Sequence, residues 1–201
     1  MNRSGSGRTR ALALFLWLAA LAPCAARAQA VASPSAGRGF TWGGSAIAPI
    51  WIGELRYAET PASSVPYFAL GGGVTGRIGG ELAGGLVLEV VLAVHGHSVD
   101  HMRENAGSLV GYRGGLQARW MIETGIDLVP FVGAGGSLLI LNRGGSVGTT
   151  GTVHAVLGAQ WMLASWAALE VAVEGDVVFP GAALADVGGY VTPMLGADFY
   201  F

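Results

Sequence analysis

The chain has 201 residues, of which 52% are hydrophobic and only 12% are charged, with 34 glycines and one cysteine. This charged fraction is about half the roughly 25% of soluble proteins, and 11 basic against 13 acidic residues argue against a basic nucleic-acid-binding protein. The longest apolar run, Ala11 to Ala22, is shorter than the roughly 20 residues of a membrane-spanning helix, which excludes an ordinary helical membrane protein. A β-barrel with interleaved lipid-facing residues fits both observations.

Residues 1–30 have the pattern of a secretory signal peptide. Arginines precede the apolar run, and two overlapping Ala-x-Ala sites predict cleavage after Ala28 or Ala30. Two alternatives are a short buried helix and a lipoprotein box at Cys24, although a proline directly before that cysteine fits such a box badly. Cleavage removes the one cysteine, so no disulfide is expected in the mature chain.

Residues 31–39 are predicted to be a short flexible leader, and residues 40–201 to form one domain. After the signal no helical periodicity persists, and alternating segments are separated by clusters of Gly, Pro, Asn, Asp and Ser. This pattern predicts an all-β fold, a closed antiparallel transmembrane β-barrel of about eight strands. The first and fifth strands are poorly phased, which indicates either bulges there or wrong strand limits. The predicted strands are 40–55, 65–78, 81–97, 107–123, 126–141, 149–163, 167–179 and 187–201.

The predicted connections and the aromatic residues indicate how the barrel is oriented in the membrane. Short turns are predicted at 78–80, 124–126 and 164–166, on the side of both termini. Outer loops are predicted near 56–64, 98–106, 142–148 and 180–186. Two aromatic belts are expected at the membrane interfaces. The belt near the termini comprises Phe40, Trp42, Trp120, Trp161, Trp166, Phe199 and Phe201, and the other comprises Trp51, Tyr57, Phe68, Tyr112, Phe179 and Tyr190.

Each predicted strand has one apolar face and one small, polar or charged face. A soluble lipocalin-like barrel would turn the polar face to water, but so few charges would solvate it poorly. The apolar face is therefore predicted to meet lipid, and the polar face to fill the lumen with a structural network of ion pairs. Its predicted members are Arg77, Glu89, Arg113, Arg119, His154, Glu170, Glu174, Asp176 and Asp198.

The turns predict how lumen residues face one another across neighbouring strands. A three-residue turn at 164–166 would set His154 opposite Asp176 and Gln160 opposite Glu170. A turn at 78–80 would set Arg77 opposite Glu81. Glu89, Arg113 and Arg119 are expected to form the middle of the network, because they lie near the midpoints of their strands.

The last segment carries a resemblance to a known group. Val191, Leu195, Ala197, Phe199 and Phe201 alternate on one face and end at a terminal phenylalanine. This strand resembles the C-terminal strand by which outer-membrane proteins are recognised for assembly, and the chain resembles the small eight-stranded outer-membrane barrels of the OmpA/OmpX type in pattern and length. The resemblance implies a bacterial outer-membrane location, with Phe199 and Phe201 as the assembly signal. The expected partners are outer-membrane lipid and the barrel-assembly machinery.

The sequence predicts no catalytic, cofactor-binding or metal-binding residues. It has no P-loop, dinucleotide fingerprint, HExxH or G-x-S-x-G motif, and the Glu170/Glu174 pair is interpreted as structural. The expected protein is a monomer with no cofactor and no nucleic-acid partner. Its predicted role is structural or a surface interaction. The alternatives are a narrow, porin-like pore for small solutes, a lipid-modifying outer-membrane enzyme and a soluble ligand-binding barrel.

One local cluster of residues allows more than one chemical interpretation. His95, His97 and His101 lie close together near a predicted loop, with Ser98, Asp100 and Glu104 among them. The first interpretation is a solvated loop. The alternatives are a metal site, since imidazoles and carboxylates bind zinc or copper, and a Ser/His/Asp hydrolase.

Overall fold

The structure is a computed structural model that describes residues 39–52, 67–68, 71–82, 84–100, 107–143, 145–181 and 187–201. The predicted signal peptide and all but the last residue of the leader lie outside the described residues. In the described part of the chain, no helix is long and apolar enough to cross a membrane. The strands are β1 (Thr41–Ile47), β2 (Ile50–Ile52), β3 (Tyr67–Phe68), β4 (Gly72–Glu81), β5 (Leu86–Asp100), β6 (Gly107–Met121), β7 (Leu128–Arg143), β8 (Ser146–Ala164), β9 (Ala167–Val178) and β10 (Gly188–Tyr200).

The strands form one closed antiparallel sheet. Each of β4 to β10 pairs with its neighbour along the chain, β1 pairs with β4, and β10 pairs back with β1. The short β2 follows β1 after a break at Pro49 and pairs with β10, while β3 precedes β4 and pairs with β5. The ten strands therefore make an eight-stranded barrel, which confirms the predicted fold class. We call the end with both barrel termini the turn end and the opposite end the loop end.

The connection between β4 and β5 corrects one predicted turn. It lies at 82–85, where Gly84 and Gly85 have φ angles of 62° and 78° that favour glycine. The predicted turn at 78–80 is wrong because β4 continues through Glu81, so Arg77 pairs with Val91 and not with Glu81. The pairs Gly79–Gly80 and Gly84–Gly85 lie close together in the sequence, and the sequence alone did not show which pair forms the turn.

The loop end contains a second correction. The predicted outer loop at 142–148 is a tight turn, because β7 and β8 remain paired up to Arg143 and Ser146. The other predicted outer loops lie largely outside the described residues.

For the fifth strand the structure supports wrong strand limits and not a bulge, because the strand predicted at 126–141 is β7, Leu128–Arg143. β7 pairs with β6 and β8 in continuous register, and two of its glycines, Gly133 and Gly135, face the lumen where large neighbours occupy the space. A Cβ atom on Gly133 would lie 3.0 Å from Cγ of Arg119, and one on Gly135 would lie 2.5 Å from Nε2 of His154. In the first strand the irregularity is the break at Pro49. Because glycine has no side chain, these inward glycines hid the alternation of apolar and polar residues along the strand.

The apolar faces of the strands point outward, as predicted. Leu92, Leu116 and Leu157 are each more than 60% exposed, whereas the alternate positions are buried in the lumen. The inverted arrangement of a soluble ligand-binding barrel is therefore not the one this chain adopts.

Outward aromatic residues surround the turn end. Trp42 stacks on Phe199 at 5.2 Å between ring centroids, and Phe199 lies 6.2 Å from Trp166. The remaining members, all exposed, are Phe40, Trp120, Trp161 and Phe201.

The belt predicted at the loop end is only partly present. Tyr112 and Phe179 are exposed there, but Trp51 and Tyr190 are buried in the lumen, which corrects their predicted role. Tyr190 occupies an inward position of β10 and Trp51 packs against it. The side chains of Tyr57 and Phe68 are outside the described residues.

Candidate functional site

The charged side chains that the structure places in the lumen form two groups. All nine residues of the predicted network point inward. The turn-end cluster comprises Arg77, Glu89, Arg119, Glu170 and Asp198, and the loop-end cluster comprises Arg113, His154, Glu174 and Asp176.

Arg119 is the centre of the turn-end cluster. Its Nη2 atom lies 2.6 Å from Oε1 of Glu89, and its Nη1 atom lies 2.6 Å from Oε2 of Glu170 and 3.3 Å from Oδ2 of Asp198. Arg77 contacts two of the same carboxylates, with its Nη atoms 2.8 Å from Glu170 and from Asp198. Two arginines thus hold three carboxylates, a geometry that the planar guanidinium fork favours.

Neutral side chains complete the hydrogen bonding of these carboxylates. Gln160 donates to Asp198 and to Glu170, and the hydroxyl of Tyr200 donates to the Gln160 oxygen. The Ser45 hydroxyl lies 3.5 Å from Glu170. Because buried ions are stable only when their hydrogen bonds are satisfied, these neutral partners are part of the cluster.

The loop-end cluster is built on Arg113. Its Nη1 atom lies 2.5 Å from Glu174 and 2.8 Å from Asp176. His154 and Asp176 are opposite in register, as are Gln160 and Glu170, which confirms the predicted pairs. The predicted three-residue turn at 164–166 is wrong, because Ala164 pairs with Ala167 and a register shift between Met162 and Ala164 preserves the pairing. The Nε2 atom of His154, however, lies 4.0 Å from Oε2 of Glu174.

A single glutamine joins the two clusters. Gln117 donates to Glu89 at 3.3 Å, and its oxygen lies 3.2 Å from Nε2 of His154. The expectation that Glu89, Arg113 and Arg119 together form the middle of the network is therefore wrong, because Glu89 and Arg119 belong to the turn-end cluster and Gln117 lies between the two clusters. Arg113 belongs to the loop-end cluster, because β6 is tilted across the barrel and separates it from Arg119 by about 20 Å of strand.

Apolar layers cover the charges at both ends. At the turn end, Arg119 lies over the ring of Phe131, with Cζ 5.0 Å from the centroid. The other turn-end apolar residues include Val87, Met121, Val129, Met162 and Ala168. The loop-end layer comprises Trp51, Leu109, Leu139, Leu141, Val178 and Tyr190.

The space left in the lumen is small. A cavity of about 20 Å³ lies beside the loop-end cluster, between His95, Arg113, Asp176 and Tyr190. This is enough for roughly one water molecule. In the described residues the lumen is thus a packed polar core between two apolar layers.

The histidine cluster differs from the predicted solvated loop. β5 continues to Asp100, and the imidazoles of His95 and His97 are buried in the lumen, with Nδ1 of His95 3.0 Å from Nε2 of His97. His101 and Glu104 lie outside the described residues, as do the side chains of Ser98 and Asp100. Within the part of the chain that is described, no group of three His, Cys, Asp or Glu side chains could hold a metal ion.

Some lumen residues were missed, although alternation could have revealed them. Tyr190 and Tyr200 occupy the same inward face of β10 as Asp198, and His95 and His97 share the face of Glu89. The polar character of the face was recognised, but the aromatic residues on it were not assigned to the lumen network.

Comparison with solved structures identifies the fold of this chain. No protein-family model and no curated protein sequence matches the chain. Among solved structures, Neisserial surface protein A (NspA) aligns with a TM-score of 0.62 at 15% identity, covering 81% of this chain and 97% of that one. The outer membrane protein OprG from Pseudomonas aeruginosa aligns with a TM-score of 0.58 at 13% identity, covering 84% and 98%.

A third structure extends the same comparison. Outer membrane protein AlkL, determined in DMPC lipid bilayers, aligns with a TM-score of 0.54 at 14% identity, covering 87% of this chain and 96% of that one. At these identities the likeness concerns the fold alone. The chain has the fold of small eight-stranded outer-membrane β-barrels.

Proposed function

We propose that this chain, which folds as a small outer-membrane barrel, resides in the bacterial outer membrane as a monomer with a structural or surface-interaction role. The observation that carries the proposal is the packed lumen. Arg119 is 1% exposed and contacts three carboxylates, and apolar layers lie on both sides of the charges. A barrel of eight strands is just wide enough to be filled by its own side chains.

Residence in a membrane is supported by the outer surface. Leucines, valines and isoleucines that are more than a third exposed cover the outward faces of β4 to β10. Tryptophans and phenylalanines surround the turn end, where the interface between acyl chains and water would select amphipathic and aromatic rings. A surface of this kind is poorly solvated by water and well solvated by lipid.

We also propose that the protein is not an enzyme, because its lumen carboxylates are already bound and little space lies beside them. The lumen carboxylates bind arginines at ion-pair distance, and the cavity beside Arg113 has room for roughly one water molecule. A general acid or base must approach its substrate to within hydrogen-bond distance. In the described residues, carboxylates bound and enclosed in this way support a structural role.

Conductance tests the proposal directly. In planar bilayers we expect wild-type protein to show no steady open-channel current, because the turn-end cluster and the layer around Phe131 block the path. Arg113→Ala should also be closed, since it alters only the loop-end cluster. A large, steady conductance of the wild type would overturn the proposal and favour the narrow pore.

Assembly in cells provides a second test. Phe201 is 68% exposed at the turn end, and its backbone exchanges hydrogen bonds with Phe40 at 3.0 and 3.3 Å. We expect deletion of Phe201 to reduce the level in the outer membrane several-fold, while purified protein refolds into detergent with nearly unchanged stability. The comparison measures membrane levels by immunoblot and stability by denaturant unfolding. Equal membrane levels would contradict the assembly role of Phe201.

A further inference from the structure

The turn-end cluster contains unequal numbers of opposite charges. Among the described residues it joins three carboxyl groups, those of Glu89, Glu170 and Asp198, to two guanidinium groups, those of Arg77 and Arg119. None of these five residues is more than 4% exposed. If all three carboxyl groups were ionised, the cluster would carry one negative charge in excess of its arginines, and an uncompensated charge in a packed interior is strongly unfavourable.

The other described side chains that contact these carboxyl groups carry no charge. They are Ser45 on β1, Gln117 on β6 and Gln160 on β8, and the hydroxyl of Tyr200 on β10 donates to the Gln160 oxygen. The imidazole of His154 belongs to the loop-end cluster, where it lies 4.0 Å from Oε2 of Glu174. The excess charge therefore has to be removed within the turn-end cluster itself.

Two of the three carboxyl groups meet directly. Nη1 of Arg119 lies 2.6 Å from Oε2 of Glu170 and 3.3 Å from Oδ2 of Asp198. The amide nitrogen of Gln160 donates to the same two oxygens. These shared donors hold the oxygens side by side, and the two carboxyl groups are in hydrogen-bond contact with each other.

The third carboxyl group is placed differently. Oε1 of Glu89 lies 2.6 Å from Nη2 of Arg119, and its Oε2 accepts from Gln117. Both oxygens of Glu89 thus bind donors, so this group fits the ionised form. The excess charge is located at the contact between Glu170 and Asp198.

Contact between two carboxyl groups requires a proton. An ionised carboxylate has acceptors only, so two of them side by side repel each other. A carboxylic acid beside a carboxylate forms a short, charge-assisted O–H···O bond instead. One proton at this contact also cancels the excess negative charge, so the geometry and the charge count lead to the same protonation state.

We infer that Glu170 and Asp198 share one proton at neutral pH, which makes the centre of the turn-end cluster a proton-binding site. The proton belongs to the pair and not to one residue alone. With it, two positive and two negative charges remain, and the cluster is neutral without a counter-ion. The shared proton is a property of the lumen beyond the structural role proposed above, and it does not depend on that role.

A proton fits this site better than a metal ion does. Oε2 of Glu170 and Oδ2 of Asp198 already accept from Arg119 and from Gln160, whereas Mg²⁺ or Ca²⁺ needs six or more oxygen ligands around it. In the part of the chain that the structure describes, no group of three His, Cys, Asp or Glu side chains could hold a metal ion. A proton requires only the two oxygens that are in contact.

The loop-end cluster does not support the same assignment. Arg113 contacts Glu174 and Asp176 there, but His154 lies 4.0 Å from Glu174 and offers a second base to a proton. A proton at the loop end therefore has more than one place to bind, and only the turn-end pair is assigned.

Infrared spectroscopy tests the shared proton, because the carbonyl of a protonated carboxylic acid absorbs apart from carboxylates and from the peptide backbone. The full mature protein, folded in lipid vesicles at neutral pH, would be compared with Glu170→Gln and with Asp198→Asn. Each amide keeps the size of the acid and removes one of the two groups that share the proton. Asp127→Asn, at an exposed position of the turn between β6 and β7, is the matched control.

We expect wild type and Asp127→Asn to show equal absorption from protonated carboxyl groups. Glu170→Gln and Asp198→Asn should each lose the intensity of one carboxylic acid, because the remaining carboxyl group still contacts Arg77 and Arg119 and then ionises. The double variant should lose no more than either single variant, since only one proton is present. The mobility of unboiled samples in detergent gels shows whether each variant is folded.

Three results would overturn the assignment. The first is the absence of protonated-carboxyl absorption in wild type at neutral pH, which requires no variant to fold. The second is full intensity in a folded Glu170→Gln or Asp198→Asn protein. The third is twice the single loss in the double variant, which would indicate two separate acids. None of these results bears on conductance, so they leave the proposed function to its own test.

Discussion

Replacing Arg119 by alanine is expected to destabilise the barrel more than any outward substitution. Among the described residues, the change removes the cation that contacts Glu89 and leaves Arg77 as the arginine that contacts Glu170 and Asp198. Loss of one partner from a buried ion-pair network costs roughly 3–5 kcal/mol when water does not replace it. The free energy of unfolding, measured by denaturant titration in lipid vesicles, should fall by about this amount.

Two further variants test whether the effect of Arg119→Ala comes from loss of the charge network. Leu88→Ala truncates a side chain that is 46% exposed on the outward face of the neighbouring strand, and should cost only about 1–2 kcal/mol. Combining Arg119→Met with Glu89→Gln removes a cation and a carboxylate together, and should recover part of the lost stability. The charge-network account is contradicted if Arg119→Ala is no more destabilising than Leu88→Ala.

Gly43→Ala should have the second-largest effect, through the same cluster. A Cβ atom at this position would lie 1.7 Å from Oδ1 of Asp198 and 3.2 Å from Nη2 of Arg77. Because Asp198 is short and held by two arginines, it has little freedom to move aside. Overpacking of this kind typically costs about 1–3 kcal/mol, and loss of an ion pair would add to it. Thermal unfolding monitored by the gel shift of boiled and unboiled samples measures the change.

The neighbouring strand supplies a matched control for Gly43. Gly76 pairs with Gly44 and faces outward, and a Cβ atom there would meet no atom within 4 Å. Gly76→Ala changes backbone freedom in the same way without entering the lumen, so its stability should equal or exceed that of the wild type. Equal destabilisation by both alanines would mean that backbone freedom, and not contact with Asp198, decides the effect.

The period-two alternation made the barrel predictable from the sequence. In β5, β6 and β9 large aliphatic residues alternate with charged or small ones, so the outward and inward sets were separable before any contact was known. The register of His154 with Asp176 followed from a short turn. Alternation carries this information because a shift by one residue would exchange lipid-facing and lumen-facing side chains.

Alternation did not predict where each strand begins and ends along the barrel axis. It also did not predict which side chains contact one another across the lumen. Arg77 pairs with Val91 because the Gly84–Gly85 pair turns instead of Gly79–Gly80. Arg113 and Arg119 share one face of one strand but bind different carboxylates, since six residues of strand separate them along the barrel. Contacts across the lumen depend on strand tilt and register around the closed sheet, which no local pattern records.

Two neighbouring strands of the barrel differ in length. β8 has 19 residues and β9 has 12, and their ladder ends at Thr152 and Val178. The β7–β8 hairpin therefore continues for six residues of β8 beyond that point, or roughly 20 Å along the strand at about 3.3 Å per residue. With β8 tilted about 40° from the axis, its full length spans close to twice the roughly 25 Å apolar band of such barrels. In the described residues the paired backbone of the β7–β8 hairpin therefore continues past the end of the β8–β9 ladder, and a partner that binds this flank of the loop end would contact that hairpin.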